Sequence, residues 1–289
     1  MLCHSLRKGD LMKARESLIA HFISVIRRSA CLRTCGYSMI LLFCIGSQVP
    51  AQEAVDVQRA PQSIAVLERS LAALGVTTQS TISTFRAAGM QVSKWNNSTP
   101  RQASFKWLFA GGEFRTELSD GESLHRIVSN HGAPKISGKF AGKLPYHMIR
   151  AMGPFVTPAM ELQLLINTPK VSIYASNSEV LNGVPVIRVA TCECGDTIGR
   201  QVTPQEWLFD ASTYLPLQVT LRVPTAGDAS ETYRALLTFK GFTQVDQFVT
   251  PLQIHYEQEG GLSRDFTIIT AHFNGNFAAS EFEIDGEGE

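Results

Sequence analysis

Glycine-containing dipeptides recur along the chain between short apolar segments, and they constrain its fold more strongly than any other feature. Four of them lie between segments typical of strands: Gly111-Gly112, Asp120-Gly121, Asn182-Gly183 and Gly260-Gly261. Glycine, asparagine and aspartate readily adopt the positive φ angles that tight hairpin turns require. The sequence therefore predicts a mainly β protein built as one large antiparallel meander. It shows no strand–helix–strand pattern, which disfavours a parallel Rossmann-type sheet.

One amphipathic helix is predicted ahead of the strands, between Pro61 and Gly75. Pro61 suits the first turn of a helix, and Gly75 suits the position just after its end. The apolar residues recur at steps of three and four and form a single stripe: Ile64, Leu67, Leu71 and Leu74. Another element has to cover this stripe.

The stretch Leu144–Ile166 interrupts the strand pattern with soft apolar side chains. Pro154 and Pro158 divide it into two short predicted helices, the second with Thr157 as its N-cap. Its apolar residues are Met148, Ile149, Met152, Phe155, Met160, Leu164 and Leu165. This composition predicts that the two helices pack into the concave face of a curved sheet, beside the first helix. The alternative is an ordinary helix that covers a sheet edge.

The charges are divided unevenly, although 26 basic and 26 acidic side chains cancel over the whole chain. Residues 1–51 carry seven basic and two acidic side chains, whereas residues 52–289 carry nineteen and twenty-four. Within the basic segment, the apolar run Tyr37–Gly46 follows Arg33 and precedes Val49-Pro50-Ala51. This order is typical of a secretory signal peptide and predicts cleavage after Ala51; the alternative is a buried core helix. Spanning a membrane takes about 20 apolar residues, so the run predicts no membrane anchor.

The rest of the chain is predicted to form one domain, residues 52–284, followed by a disordered acidic tail, residues 285–289. Its negative charge argues against nucleic-acid binding, which needs a basic surface. Walker loops, Rossmann fingerprints and nucleophile elbows do not occur, and the histidines of this domain have no metal-binding spacing. The sequence therefore predicts no catalytic residue, no cofactor and no metal site.

Cys192 and Cys194 are the two cysteines of this predicted domain. Residues two apart on a strand share one face, and Gly195-Asp196 offers a turn that could bend the pair together. In an exported protein they are candidates for a disulfide, within one chain or between two. The alternatives are two inert thiols and, with a further ligand, metal binding or redox catalysis.

Three later segments, taken in order, resemble a known family. They are a Gly-Val-Pro hairpin in Glu179–Val189, an Asp-x-x-Thr turn with a Leu-Pro strand restart in Trp207–Leu217, and the segment Phe239–Ile254, with a finish at Ser280-x-Phe282. Together they resemble the LolA/LolB-like superfamily, the periplasmic carriers of outer-membrane lipoproteins and their relatives. The resemblance covers roughly residues 62–284 and rests on turns and strand restarts, which report fold better than activity.

The resemblance implies a curved, half-open barrel of about eleven antiparallel strands around a helical plug or lid, with an apolar cavity for acyl chains. It also implies a periplasmic, non-enzymatic carrier of a lipid, acyl chain or lipoprotein, with an envelope protein as a further partner. Strand arginines that would suit the family's gating arginine are Arg115, Arg126 and Arg188. The candidate cavity and lid residues are Met148, Met152, Phe155, Met160, Leu164, Trp107 and Trp207.

Two other functions remain open from the sequence. One is an envelope sensor or scaffold that uses the same fold as an interaction module and binds no lipid. The other is an enzyme that uses Cys192 and Cys194 or a pair of carboxylates.

Overall fold

The computed structural model describes residues 57–121, 123–130, 133–137, 142–143, 154–225, 227–228 and 230–283. All of these belong to one compact unit, Gln52–Glu289. The predicted signal peptide and the acidic tail lie outside the described residues, as does the first predicted lid helix with Met148 and Met152.

The described part of the chain forms one antiparallel sheet of thirteen strands. The strands are β1 (Thr84–Trp95), β2 (Arg101–Ala110), β3 (Glu113–Ser119), β4 (Leu124–Asn130), β5 (Ala133–Ser137), β6 (Gly142–Lys143), β7 (Ser172–Leu181), β8 (Val184–Cys192), β9 (Gln205–Asp210), β10 (Pro216–Pro224), β11 (Thr232–Val245), β12 (Phe248–Gln258) and β13 (Leu262–Phe273). Their order in the sheet is β6-β5-β4-β3-β2-β1-β13-β12-β11-β10-β9-β8-β7. The predicted mainly β, antiparallel architecture is confirmed.

Two meanders, β1–β6 and β7–β13, make up this sheet. They join where the last strand pairs antiparallel with the first, with Phe85 opposite Phe273 and Gln91 opposite Phe266. The edge strands are β6 and β7, and they do not pair with each other, so the sheet stays open as a half-barrel. The hairpins predicted one large antiparallel meander. The structure divides it into two meanders, because the last strand, β13, pairs with the first strand, β1.

The four predicted hairpin turns are confirmed. They connect β2 to β3, β3 to β4, β7 to β8 and β12 to β13. At the β7–β8 turn, Asn182 has a φ of 51° and Gly183 a φ of 85°, the left-handed conformations that a two-residue hairpin requires. The strand count exceeds the predicted eleven or so partly because β5 and the edge strand β6 are short and have no clear alternating pattern in the sequence.

The described residues also form three α-helices and one 3-10 helix. These are α1 (Pro61–Ala73), α2 (Pro158–Asn167), α3 (Thr197–Val202) and the 3-10 helix Ala279–Phe282. The α1 helix is the predicted one: Leu67 and Leu74 are fully buried, and Gly75 follows the helix end with a φ of 82°. The sequence did not indicate α3, a helix of six residues that Asp196 caps by accepting a hydrogen bond from the Gly199 amide at 2.7 Å.

The second predicted lid helix is α2, which begins with Pro158 as expected. Thr157 is its N-cap residue, but the hydroxyl of Thr157 makes no capping hydrogen bond and lies buried without a partner. The prediction that Thr157 caps the helix through its side chain is therefore wrong. The helix is held instead by its apolar face and by Gln163, whose amide exchanges two hydrogen bonds with the backbone of Ile82.

Both α1 and α2 pack in one hydrophobic core with one face of the sheet, which we call the inner face. The largest buried side chains of this core include Trp207, Phe209 and Phe248 from the strands and Leu67 and Leu162 from the helices. The packing of α2 beside α1 agrees with the predicted helical plug. In the described ranges, every helix is too short or too polar to cross a membrane.

Candidate functional site

A cavity of about 470 Å³ opens between the inner face of the sheet and the residues just before α2. Phe155 and Val156 form its helical side, and strands β1–β4 and β10–β13 form its wall. Its apolar lining residues are Phe105, Trp107, Phe109, Phe114, Leu118, Ile127, Phe155, Val156, Leu221, Val223, Leu237 and Phe266. This volume and this lining fall in the range of small-molecule sites.

Aromatic rings form the most closely packed part of the wall. The rings of Phe105 and Trp107 stack with centroids 4.1 Å apart, and Phe266 approaches them at 5.6 and 5.1 Å respectively. These side chains meet because alternate residues of a strand share one face, and β13 lies beside β1, which pairs with β2. The result is a rigid apolar surface without hydrogen-bonding groups, apart from the indole N–H of Trp107.

Two charged residues line the cavity, Arg264 from β13 and Glu117 from β3. Glu117 is paired with Arg115 and Arg126, which do not line the cavity. Arg264 lies in the same strand phase as Phe266 and Ile268 and directly opposite Tyr256. Its guanidinium carbon is 5.6 Å from the centre of the Tyr256 ring, and its Nε is buried without a hydrogen-bond partner. Burial lowers the pKa of Arg264 from its ordinary value, and the nearby Tyr256 acts in the opposite direction. A guanidinium that is partly desolvated therefore faces a cavity whose lining is mostly apolar. The other polar or charged lining residues are Gln91, Thr116, Glu117, His125 and Tyr256.

Two polar neighbours accompany Arg264. The side chain of Gln91, on β1, is only 4% exposed, lines the cavity, and makes no hydrogen bond with any residue that the structure describes. The Tyr256 hydroxyl donates to Oε1 of Gln258 at 2.5 Å, and burial raises the pKa of Tyr256. Arg264 and Gln91 thus present N–H groups that the described protein residues leave unused, while the hydroxyl hydrogen of Tyr256 is already engaged.

The three arginines considered as gating candidates lie elsewhere. Arg115 and Arg126 both bind Glu117, and Arg188 binds Glu179 and Glu206. None of the three lines the cavity among the described residues. For Glu117, burial alone would raise the pKa, but the hydrogen bond from Arg115 and the charges of Arg115, Arg126 and Lys106 lower it overall.

The residues proposed for the cavity occupy different places in the structure. Trp107 and Phe155 line the cavity. Met160 is buried in the core between helix and sheet, and Leu164 is 52% exposed on α2. Trp207 is fully buried and stacks between Phe209 and Phe239, outside the cavity lining. Ligand binding by any of these residues remains a prediction.

Sequence reasoning missed Arg264 and Gln91, although both carry a readable signal. In Leu262-Ser-Arg264-Asp-Phe266-Thr-Ile268, the apolar residues alternate with polar ones, and Arg264 falls on an apolar position. In Ala87-Ala-Gly89-Met-Gln91, the phase is less clear because a bulge shifts the pairing of β1 with β13 between Ala88 and Gly89. A cation in an apolar strand phase is the feature that would have indicated the site.

Another buried polar group, on α2, does not line the cavity. Glu161 is 3% exposed; its Oε1 accepts a hydrogen bond from Gln205 at 2.7 Å, and its Oε2 has no partner. Oε1 of Gln205 in turn accepts the indole N–H of Trp207 at 2.8 Å. Burial raises the pKa of Glu161 to about 7, and the hydrogen bond from Gln205 opposes this shift. No group of three or more His, Cys, Asp or Glu residues suited to a metal ion occurs in the described ranges.

The cysteine pair lies at the end of β8, away from the cavity. The structure places Cys192 and Cys194 with their Cα atoms 5.2 Å apart and their sulfur atoms in disulfide contact. Cys192 is buried beside the Thr203 hydroxyl, and α3 begins three residues after Cys194. This geometry is compatible with an intrachain disulfide, which stays a prediction.

Thiol titration tests the disulfide. In unreduced protein that lacks residues 1–51, we expect no thiol to react with Ellman's reagent after unfolding in denaturant, and two to react after reduction. Denaturant is needed because burial would hide Cys192 in the native state. Each single variant, Cys192→Ser or Cys194→Ser, should expose one thiol. Two reactive thiols in the unreduced, unfolded protein would refute the disulfide.

Comparison with known proteins found similarity at the level of structure. No protein-family model and no curated protein matches the sequence. A DUF1329 family protein from Desulfovibrio piger superimposes with a TM-score of 0.55 at 12% identity, over 78% of this chain and 98% of that chain. A LolA superfamily protein from Nitrosomonas europaea gives 0.53 at 9% identity, over 77% of this chain and 98% of that chain. The fold is LolA-like.

A third solved structure points the same way. A domain from Vibrio parahaemolyticus, described as outer membrane lipoprotein-sorting, superimposes with a TM-score of 0.51 at 16% identity. The match covers 78% of this chain and 97% of that chain. At these identities the likeness shows the fold alone, and it confirms the LolA-like fold that the Gly-Val-Pro and Leu-Pro segments indicated.

Proposed function

We propose that this protein is a non-enzymatic periplasmic carrier that binds a lipid, an acyl chain or a lipoprotein in the cavity of its half-barrel. The single observation that carries the proposal is the 470 Å³ cavity, whose lining is mostly aromatic and aliphatic. The LolA-like fold supports it, since one similar structure is described as a lipoprotein-sorting domain. The basic leader, residues 1–51, would direct export and be removed after Ala51.

The physical basis is the transfer of methylene groups from water into the cavity. Each buried methylene contributes on the order of 0.8 kcal/mol to the free energy of binding. About ten methylenes would therefore offset a substantial part of the entropy that the ligand loses when it is held in the cavity. A sheet with two free edges suits this task better than a closed barrel, because a long chain can enter from the side. Phe155 and Val156, which cover the cavity just before α2, would then contact the bound chain.

A probe-displacement experiment tests the proposal. Purified, delipidated protein should increase the fluorescence of the neutral probe N-phenyl-1-naphthylamine, and dodecanol should displace the probe. Val223→Trp should weaken probe binding by about tenfold or more, because Val223 lines the cavity and the larger ring would fill part of it. Native mass spectrometry of gently purified protein should show a co-purified apolar ligand.

The matched control is Val180→Trp. Val180 lies on the edge strand β7 and is 71% exposed, so the same substitution there should leave probe binding unchanged. Thermal melting of both variants excludes unfolding as the cause. Wild-type protein that binds no probe and carries no ligand would contradict the proposal and favour an envelope sensor or scaffold. An equal loss of binding in both variants would show that the probe does not use this cavity.

A further inference from the structure

We propose that the ligand carries a compact anionic head group, a carboxylate or a phosphate, which Arg264 binds with help from Gln91 at the cavity wall. This inference deepens the proposed function and rests on it. It assigns a chemical class to the ligand, an anionic amphiphile, where the cavity alone indicates only an apolar one.

The first support is the unpaired state of Arg264. No ion pair or hydrogen bond joins its guanidinium to any residue that the structure describes, and its Nε is fully buried. An arginine is always charged, and a charge removed from water is costly unless an opposite charge or hydrogen-bond acceptors compensate it. Stacking on Tyr256 compensates only in part. An anion from the ligand would complete the site.

The second support is independent and comes from β1. Gln91 is more than nine-tenths buried, lines the same cavity, and leaves its amide without a described hydrogen-bond partner. In the register of β1 and β13, Gln91 lies opposite Phe266, two residues along the strand from Arg264. The amide atoms of Gln91 are not among the side-chain atoms that are closed off from solvent without a partner, so the amide faces the cavity and its N–H groups are available to a polar ligand group.

The third support is the arrangement of polar and apolar groups along the barrel. Arg264 lies near the start of β13, two residues after Leu262, the first residue of the strand. Trp107 lies further along the sheet, because it pairs with Ala87, which is four residues along β1 from Gln91. At about 3.3 Å per residue, Gln91 is about 13 Å along β1 from Ala87, the residue that pairs with Trp107. The stacked rings of Phe105 and Trp107 lie along this stretch. A head group at Arg264 would therefore place its chain over the aromatic wall.

The chemistry of the side chains selects carboxylate or phosphate. A planar guanidinium offers parallel N–H groups that match two oxygens of either anion, and an amide N–H can bind a further oxygen. Tyr256 positions the guanidinium by stacking, and its hydroxyl hydrogen is committed to Gln258, so Tyr256 does not donate to the anion. Free fatty acids and phosphorylated lipids both provide such a head group.

The test compares three probes with the same twelve-carbon chain: dodecanoate, dodecyl phosphate and dodecanol. Each displaces N-phenyl-1-naphthylamine from the full exported domain at about pH 7.5. We expect the wild-type protein to bind at least one of the two anions about tenfold more tightly than dodecanol. Arg264→Met should remove this preference and leave dodecanol affinity unchanged. The two anionic arms tell a carboxylate site from a phosphate site.

Three further variants keep the test decisive. Arg222→Met is the matched control, because Arg222 is exposed on β10 and does not line the cavity; it should keep the preference for the anion. Gln91→Met should weaken anion binding less than Arg264→Met does, and Arg264→Lys should retain part of it. Gln91→Met and Arg264→Lys also provide the answer if Arg264→Met does not fold.

The outcomes separate the two proposals. If wild-type protein binds dodecanol as tightly as both anions, the anionic head-group site is overturned while the carrier function stands. If none of the three probes binds, the carrier function itself fails. If Arg222→Met loses the preference as fully as Arg264→Met, the effect reflects overall charge, and the assignment to Arg264 is overturned.

Discussion

Replacing Trp207 by alanine should lower the free energy of unfolding by about 3–5 kcal/mol. Trp207 is fully buried between Phe209 and Phe239, with ring centroids 6.1 and 6.2 Å away, so its removal leaves a large cavity. It also leaves Oε1 of Gln205 without the indole N–H that it accepts. Denaturant unfolding followed by circular dichroism measures the loss.

Two control variants sharpen this prediction. Trp207→Phe keeps most of the ring volume and should cost about 1–3 kcal/mol, chiefly for the buried acceptor left unpaired. Trp95→Ala removes a tryptophan that is 53% exposed and should change stability by about 0.5 kcal/mol or less. A cost below about 1 kcal/mol for Trp207→Ala would show that the ring is not part of a tightly packed core.

Raising the pH from about 5 to 8 should destabilise the protein through Glu161. In the folded state its pKa is about 7, against a usual value of 4.5, because the carboxyl is fully buried. Between these two values the unfolded state loses the proton while the folded state keeps it, so the folded state weakens as the pH rises. The contribution of Glu161 to the free energy of unfolding is fully present below about pH 4.5. About 3 kcal/mol of it is lost by the time the pH passes 7.

Glu161→Gln isolates this effect. Glutamine resembles the protonated carboxyl and can still accept the hydrogen bond from Gln205, so the variant should show a flatter stability profile between pH 5 and 8. Subtracting its profile from that of the wild type removes the contribution of every other titrating group. Glu68→Gln, at an exposed position on α1, should leave the wild-type profile intact. Identical profiles for wild type and Glu161→Gln would refute the prediction.

Glu161 lies on the helix next to the cavity, so its protonation affects the stability of the segment that covers the cavity. It lies on α2, whose preceding residues Phe155 and Val156 cover the cavity, and it contacts the Gln205–Trp207 pair of the core. A charge at Glu161 would have to be solvated or given a partner, and Oε2 has none. The same packing that buries this helix therefore also makes its stability dependent on pH.

Features governed by neighbouring residues were predictable. The hairpin turns depend on the positive φ angles of Asn182-Gly183 and similar pairs, and these angles depend on side chains at the turn itself. The α1 helix depends on the spacing of its apolar residues between Pro61 and Gly75. The segments that resemble the LolA/LolB-like superfamily also consist of turns and strand restarts. For this reason the resemblance correctly predicted the fold.

Features governed by distant pairing were not predictable. Nothing in β1 or β13 alone indicates that they pair, yet this pair unites the two meanders and places Gln91 near Arg264. Trp107 and Trp207 both lie on strands and looked equivalent in sequence. One lines the cavity and the other is enclosed by Phe209 and Phe239, because their strands occupy different positions in the sheet.

By itself, the sequence determined the class of fold: an antiparallel sheet with a leading amphipathic helix, since turns and helix periodicity are local properties of the chain. The tertiary structure alone decided which residues surround the cavity and which polar groups are left without partners there. Burial and hydrogen bonding of Arg264, Gln91 and Glu161 depend on strands and helices far apart in the chain. The energetic cost of burying these three side chains, and their availability to a ligand, therefore depend on the folded sheet and cannot be inferred from their neighbours in the sequence.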